Sequence, residues 1–208
     1  MQNIHVLEMF NSISGEVSPF FQGCPTTFIR LSRCNLNCSY CDTPTAHDDG
    51  ESWDKNKLLV ALTELYQKTG RLCITGGEPL LQMEAVTFLC SHFECLWIET
   101  NGTIDFSKFI GSVGIVADFK LEFSKNIPPY FYKLTHSDFI KFVIGNEQNF
   151  DDAINIQRLL QIAGCPAMFA FSPIHGEYSA KKILEQLNYF MLPNTIINIQ
   201  IHKYLDMK

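Results

Sequence analysis

The sequence predicts an α/β fold, a partial barrel of six β/α units forming one compact domain over residues 1–208. Three observations carry that prediction. Short apolar runs alternate with segments of helical spacing, the pattern of βαβ units around a parallel sheet. A closed eight-unit barrel takes about 250 residues, and this chain has 208. Ligands gather at the carboxyl ends of such strands, and the chemically distinctive residues fall at those ends.

The apolar runs are Val6–Phe10, Thr26–Leu31, Leu72–Thr75, Leu96–Thr100, Gly114–Asp118, Ile140–Ile144, Ala167–Phe171 and Thr195–Ile201. The six from Thr26 to Phe171 are the expected barrel strands. In Asp54–Lys68 the apolar residues Leu58, Ala61, Leu62 and Leu65 share one helical face. Asp151–Ala163 repeats this with Ala153, Ile156, Leu160 and Ala163, and Gly164 and Pro166 then supply a stop. Ser179–Tyr189 is a third helical segment. There is no internal repeat and no low-complexity stretch.

A hydrophobic share of 46% builds a full core, and no stretch approaches a membrane span. The start, MQNIHVLEMF, has no basic region followed by an apolar run, so no export signal is expected and the cytoplasm is the default. The net charge of −6 argues against a general grip on nucleic acid, which needs basic surface. Arg is scarce, yet Arg30 and Arg33 both lie just before Cys34, which points to an anion nearby.

Of the eight Cys, three cluster as SRCNLNCSYCDT, directly after the strand TTFIRL. Cys34, Cys38 and Cys41 have the spacing C-x3-C-x2-C. Thiolates suit iron–sulfur clusters and zinc. A closed site of either kind wants four protein ligands, so three leave one iron of a cluster open to a further ligand. The alternatives are a structural zinc site completed by Cys24 or His47, and three thiols without metal. Zinc sites more often use two C-x2-C pairs, and idle Cys is usually buried like an apolar residue.

The pattern resembles the radical S-adenosylmethionine superfamily. The resemblance implies a 4Fe-4S cluster on the three thiolates, with the open iron chelating S-adenosylmethionine. Reductive cleavage then gives a 5′-deoxyadenosyl radical that abstracts hydrogen from the substrate. Further motifs sit at later strand ends. In ITGGEPLLQ, Gly76 and Gly77 permit close backbone approach, Pro79 suits a first helical turn, and Glu78 suits its N-terminus. WIETNGT brings Glu99, Thr100 and Asn101 together, VADFK brings Asp118 and Lys120, and FSPIHGE brings Ser172–His175. Each of these also reads locally as an ordinary turn or a surface ion pair.

Within the superfamily the chain resembles the 7-carboxy-7-deazaguanine synthase family, of the 7-deazapurine (queuosine) pathway. The matching pieces are VLEMFNSISGE, CPTTFIRLSRCNLNCSYCDT, TGGEPLLQ, ETNGT, DFK, KFVI and INIQIHK. The first and last are not general superfamily features. The resemblance implies a carbon–nitrogen lyase. It would convert 6-carboxy-5,6,7,8-tetrahydropterin by hydrogen removal at C6, ring contraction and loss of ammonia, with Mg²⁺ orienting the substrate carboxylate. By position, Ile13, Ser14, Gly15, Glu16, Arg30 and Thr75 match substrate contacts, and Thr43 matches a Mg²⁺ ligand. Tyr40, Gly77, Glu99, Asn101, Asp118, Lys120, Ser172, Pro173, Ile174 and His175 match the S-adenosylmethionine side. No side chain is assigned a catalytic role. A flavodoxin as reductant and a homodimer follow from the same resemblance. Two departures stand out: the family loop usually reads Q-G-E-G where this chain has Ser14-Gly15-Glu16-Val17, and Gly usually stands at Arg33.

The alternative enzyme is a glycyl-radical activating enzyme, of similar size and spacing but acting on a protein. The non-enzyme alternative is a zinc-binding interaction module. Cys24, Cys73, Cys90, Cys95 and Cys165 are expected to be core or near-surface thiols, and His5, His92 and His136 structural.

Overall fold

The computed structural model describes residues 3–207. Met1, Gln2 and Lys208, which belong to the expected domain and, at the start, to the segment read as lacking an export signal, lie outside the described residues. In chain order the elements are β1 (Ile4–Ile13), β2 (Pro25–Leu31), β3 (Glu51–Trp53), α1 (Lys55–Thr69), β4 (Leu72–Gly76), α2 (Met83–Cys90), β5 (Leu96–Thr100), β6 (Gly114–Asp118) and β7 (Phe139–Ile144). They continue with α3 (Glu147–Ile162), β8 (Met168–Pro173), α4 (Ala180–Phe190), β9 (Thr195–Ile197) and α5 (Ile201–Tyr204). One sheet takes the order β3-β1-β2-β4-β5-β6-β7-β8-β9. From β2 to β9 every pairing is parallel, whereas β1 runs antiparallel to β2 and β3 antiparallel to β1. No described helix is long and apolar enough to cross a membrane.

The expected parallel α/β partial barrel is present, with differences that explain the short chain. Full helices follow β2, β4, β7 and β8. After β5 and β6 the chain returns through single 3₁₀ turns, Ser107–Phe109 and Pro129–Lys133. The expected strand Thr195–Ile201 is corrected: it ends at Ile197, and Ile201 opens the short α5. The strand β3 was not expected from the pattern, and the helix expected to open at Pro79 begins as a 3₁₀ turn, Pro79–Gln82, that leads directly into α2.

Local chemistry sets the helix ends. The Asp54 side chain accepts from the N–H groups of Asn56 and Lys57 and so caps α1, which stops at Gly70 with φ +67°. The Asn146 side chain caps α3 through Asn149 N–H, and the Ser179 side chain caps α4 through Lys182 N–H.

Each parallel strand alternates between two faces. One face, with Ile29, Ile74, Ile98, Ile115, Ile140, Phe142 and Phe169, packs on Leu58, Leu62, Val86, Leu89 and Phe150 of the helices. Truncating a fully buried member such as Leu62 to Ala would cost about 2–5 kcal/mol. The other face turns inward. Its lower layer is apolar: Cys73, Trp97, Val116 and Ala170, with Phe28, Phe139 and Ile196 against them and Val17 plugging the bottom. Two residues further along the same strands the inward positions become polar, and there the site begins.

Candidate active site

Above the apolar floor, β2 places Arg30, β4 Thr75, β5 Glu99, β6 Asp118, β7 Lys141 and β8 Ser172. All six line one cavity of about 270 Å³ at the carboxyl ends of the strands. Period-2 alternation makes this layer from sequence alone: Phe28 and Arg30, Cys73 and Thr75, Trp97 and Glu99, Val116 and Asp118 are consecutive inward positions.

The cluster loop forms one wall. Cys34, Cys38 and Cys41 all face the cavity, and Cys41 N–H donates to the Cys38 carbonyl at 3.2 Å. Burial raises the Cys38 thiol; Lys120 opposes that rise, and the neighbouring Cys41 and Cys34 add to it. The GGE turn docks directly on this loop. Gly77 N–H donates to the Leu31 carbonyl at 3.1 Å, and Glu78 N–H to the Arg33 carbonyl at 2.9 Å. A Cβ on Gly77 would collide with the Arg33 carbonyl oxygen and stand 2.7 Å from Cys34 Cβ. Asn101 reaches the same loop, donating through Nδ2 to Asn35 Oδ1 at 2.9 Å and lying 3.9 Å from Cys34 Sγ.

Three thiols around one cavity fit a cluster with an open iron. A cluster takes each thiolate on a separate iron, so the thiols need not converge on a point. Among the described residues no three His, Cys, Asp or Glu side chains are grouped to hold a single ion. Cys24, one fourth ligand considered for zinc, precedes β2 while the cluster loop follows it. The seven residues of that strand put roughly 20 Å between them. Its thiol donates to the Phe20 carbonyl instead, at 2.9 Å. The other, His47, does line the cavity.

The opposite wall joins the two ends of the chain. Glu16 Oε2 accepts from Lys141 Nζ at 2.6 Å and Asn198 Nδ2 at 3.1 Å, and Oε1 accepts from Gln200 Nε2 at 2.6 Å. Val17 N–H donates to Asn198 Oδ1 at 3.0 Å, and Ile201 N–H to the Gly15 carbonyl at 2.9 Å. The His202 ring lies so close over Gly15 that a Cβ there would overlap it. Burial alone would raise the Glu16 carboxyl, but the charge of Lys141 and the bonds from Lys141, Gln200 and Asn198 bring it down to about 2. Burial raises Glu99, which Lys141 opposes. Lys141 also pairs with Asp118 at 3.1 Å, and Asp118 with Lys120 at 2.8 Å. Lys120 sits 5.4 Å from the centre of the Tyr40 ring.

Of the residues singled out in the sequence, Ile13, Gly15, Glu16, Arg30, Tyr40, Thr43, Thr75, Gly77, Glu99, Asn101, Asp118, Lys120, Ser172, Pro173, Ile174, His175 and the three Cys all line this cavity. Ser14 does not. Its hydroxyl turns back to the Glu16 carbonyl at 3.1 Å. Lys141 lies in the matching piece KFVI, and Asn198, Gln200 and His202 in INIQIHK, but none of the four took a role from the sequence alone. The signal for Lys141 was a single cation inside the apolar strand FIKFVI.

The chain matches the Radical SAM superfamily over residues 28–189. It is 36% identical over 210 residues to the 7-carboxy-7-deazaguanine synthase of Methanospirillum hungatei JF-1, covering 97% of this chain and 85% of that one. It is 32% identical over 214 residues to the protein of that name from Thermoplasma acidophilum, covering 96% of each. A third, from Clostridium acetobutylicum, is 30% identical over 219 residues, covering 98% of this chain and 96% of that one.

Proposed function

This chain belongs to the radical S-adenosylmethionine superfamily and, within it, to the 7-carboxy-7-deazaguanine synthases, and from that premise we propose that it converts 6-carboxy-5,6,7,8-tetrahydropterin to 7-carboxy-7-deazaguanine with loss of ammonia. The family implies a 4Fe-4S cluster and S-adenosylmethionine. Cys34, Cys38 and Cys41 would hold the cluster, which when bound supplies reductive cleavage of S-adenosylmethionine to a carbon radical that takes hydrogen from the substrate.

The chain's own residues do the rest. Gly77, Asn101, Tyr40 and Lys120 lie beside the cluster loop and would receive S-adenosylmethionine, with Glu99, Asp118 and Ser172–His175 completing that side. Ile13, Gly15 and Glu16 close the other side over Arg30 and Thr75, where the pterin would lie, with Ser14 shaping the loop from behind. Glu16, held ionised, offers an acceptor to N–H groups of a heterocycle. Arg30 offers a fork to a carboxylate. Thr43 would contribute to Mg²⁺, for which hydroxyl and carboxylate oxygens are suited, and Asp42 lies 3.1 Å from its hydroxyl. A flavodoxin as reductant and a homodimer of one-domain subunits complete the proposal. Exposed Phe21, Tyr189 and Met191 offer apolar surface to a second copy.

One observation carries the pterin reading over a glycyl-radical activating enzyme. The SISGE loop and the NIQIH tail close on each other through Glu16 and Gly15, which leaves a cavity scaled to a small molecule. The test is anaerobic reconstitution, then incubation with S-adenosylmethionine, Mg²⁺, reductant and the pterin. Mass spectrometry should find 7-carboxy-7-deazaguanine. Cleavage of S-adenosylmethionine with no such product would overturn the substrate.

A further inference from the structure

The roles above leave one buried cation unassigned. Lys141 stands on β7 between the fully buried Ile140 and Phe142 and points inward over the apolar floor. Burying an ammonium is costly unless partners surround it. Its partners come from two different walls of the cavity: Glu16 from the loop after β1, at 2.6 Å, and Asp118 from β6, at 3.1 Å. Asp118 and Lys141 are also register partners on adjacent strands. Removing the cation would leave Glu16, Asp118 and Glu99 facing one another in one half-buried layer, an arrangement that like charges do not favour.

We propose that Lys141 is a positioning residue for the substrate: it holds Glu16 ionised and aimed into the cavity, and ties that carboxylate through Asp118 and Lys120 to the wall that carries the cluster loop. The inference rests on the pterin reading of the cavity. A continuous set of contacts supports it, from Gln200 and Asn198 through Glu16, Lys141, Asp118 and Lys120 to Tyr40. The charged and titratable groups around the Glu16–Lys141 pair are Glu99 from β5, Asp118 and Lys120 from the end of β6, and His202 from the tail. Lys141 is the cation bonded to Glu16 directly. Burial works against the Lys141 charge, but Asp118, Glu16 and Glu99 together hold it well above its ordinary value, so the pair stays charged.

The test uses reconstituted holoenzyme. Lys141→Met should raise the KM for the pterin by about tenfold or more, because a buried carboxylate has lost its counter-charge. Iron content should stay near wild type, since Lys141 touches none of the three thiols. The kcat/KM profile should gain an acid limb as Glu16 takes up a proton, and that limb should vanish in Lys141→Met/Glu16→Gln. Lys141→Arg should restore a low KM and the wild-type profile. Lys141→Gln serves the same purpose if Met prevents folding. A variant of lowered thermal stability but unchanged KM and pH profile would overturn the inference and leave Lys141 a structural ion. A readout independent of turnover separates this failure from failure of the pterin reading. Isotope-edited infrared titration, with Glu16 assigned by its loss in Glu16→Gln, should show that carboxylate titrating higher in Lys141→Met. An unchanged titration overturns the proposal whatever the substrate is.

Discussion

The backbone N–H of Asn101 donates to Glu78 Oε2 at 2.6 Å, which locks the turn after β5 to the turn after β4. Thr100 Oγ1 adds bonds to both Glu78 oxygens at 2.8 and 3.0 Å, and Leu80 N–H adds a fourth at 2.9 Å. Glu78 does not line the cavity. It holds in place two turns that do, and one of them carries Asn101 to Cys34.

Glu78 and Glu16 shift in opposite directions, and stability should follow. Burial raises Glu78 to about 7, against the bonds from Asn101, Leu80 and Thr100 and the charge of Lys120. The folded state therefore holds a proton that the unfolded chain releases near 4.5. Its contribution is full below about 4.5 and is lost as pH rises through about 7. For Glu16, at about 2, the contribution is full above about 4.5 and is lost as pH falls towards 2. Thermal melts across pH should show Glu78→Gln flattening the slope between about 4.5 and 7, and Glu16→Gln removing the acid limb. Glu78→Ala should cost about 3–5 kcal/mol by stranding its buried donors. Identical pH slopes in wild type and Glu78→Gln would refute the assignment.

The thiols divide by position. Changing any one of Cys34, Cys38 or Cys41 to Ala should abolish cleavage of S-adenosylmethionine. Cys24→Ser, beyond the far end of β2, should bind iron at the wild-type level of about four per chain. Iron and sulfide analysis decides the matter, and loss of iron in Cys24→Ser would contradict the layout.

Two glycines should fail differently. Gly77→Ala drives a Cβ into the Arg33 carbonyl and towards Cys34, so iron retention should fall along with stability, by about 1–3 kcal/mol. Gly15→Ala drives a Cβ into the His202 side chain down to its Cβ, so the tail that carries His202 must shift. Iron should then be unaffected, while the displaced tail raises the pterin KM. Equal effects on iron would mean that the two walls are not independent.

Arg33 has φ +72°, a conformation that glycine adopts freely and arginine does not. That accounts for the family's usual glycine at this position. The side chain is fixed by Asp49 at 2.8 Å, an exposed pair worth little. Arg33→Gly should therefore leave the melting temperature equal or higher and the iron content unchanged. A marked loss of stability would show that the Asp49 contact matters more than the strain.

The alternation of strands and helices, and the strand-end location of the chemistry, were legible because both are local patterns. The family resemblance named the loop and the tail as motifs, but that Glu16 meets Asn198 and Gln200 was not legible, since 182 and 184 residues separate them. Lys141 was hidden for a related reason: a cation in an apolar strand has no meaning until Glu16 and Asp118 surround it. The two 3₁₀ returns after β5 and β6 were hidden because such short turns leave no periodic signature. Val17, a departure from the family loop, is explained by packing: it fills the floor against Trp97 and Cys73.

Arg30 and Thr43 bring the proposed substrate and the geometry together. Alternation along β2 turns the Arg30 guanidinium inward on the same face as Phe28. Its partner is Glu8, across on β1, which accepts from Nε at 3.0 Å. That bond fixes the stem and plane of a side chain whose far end belongs to the cavity wall. Arg30→Ala should raise the pterin KM by about tenfold or more and leave iron content unchanged. Arg30→Lys should not restore it, because an ammonium cannot replace a planar fork. Thr43→Ala should weaken the dependence of turnover on Mg²⁺. Steady-state kinetics across a Mg²⁺ titration measure both effects. If Arg30→Ala turns over the pterin at the wild-type kcat/KM, Arg30 serves only Glu8 and the proposed carboxylate site is wrong, while the radical chemistry on the three thiolates stands untouched.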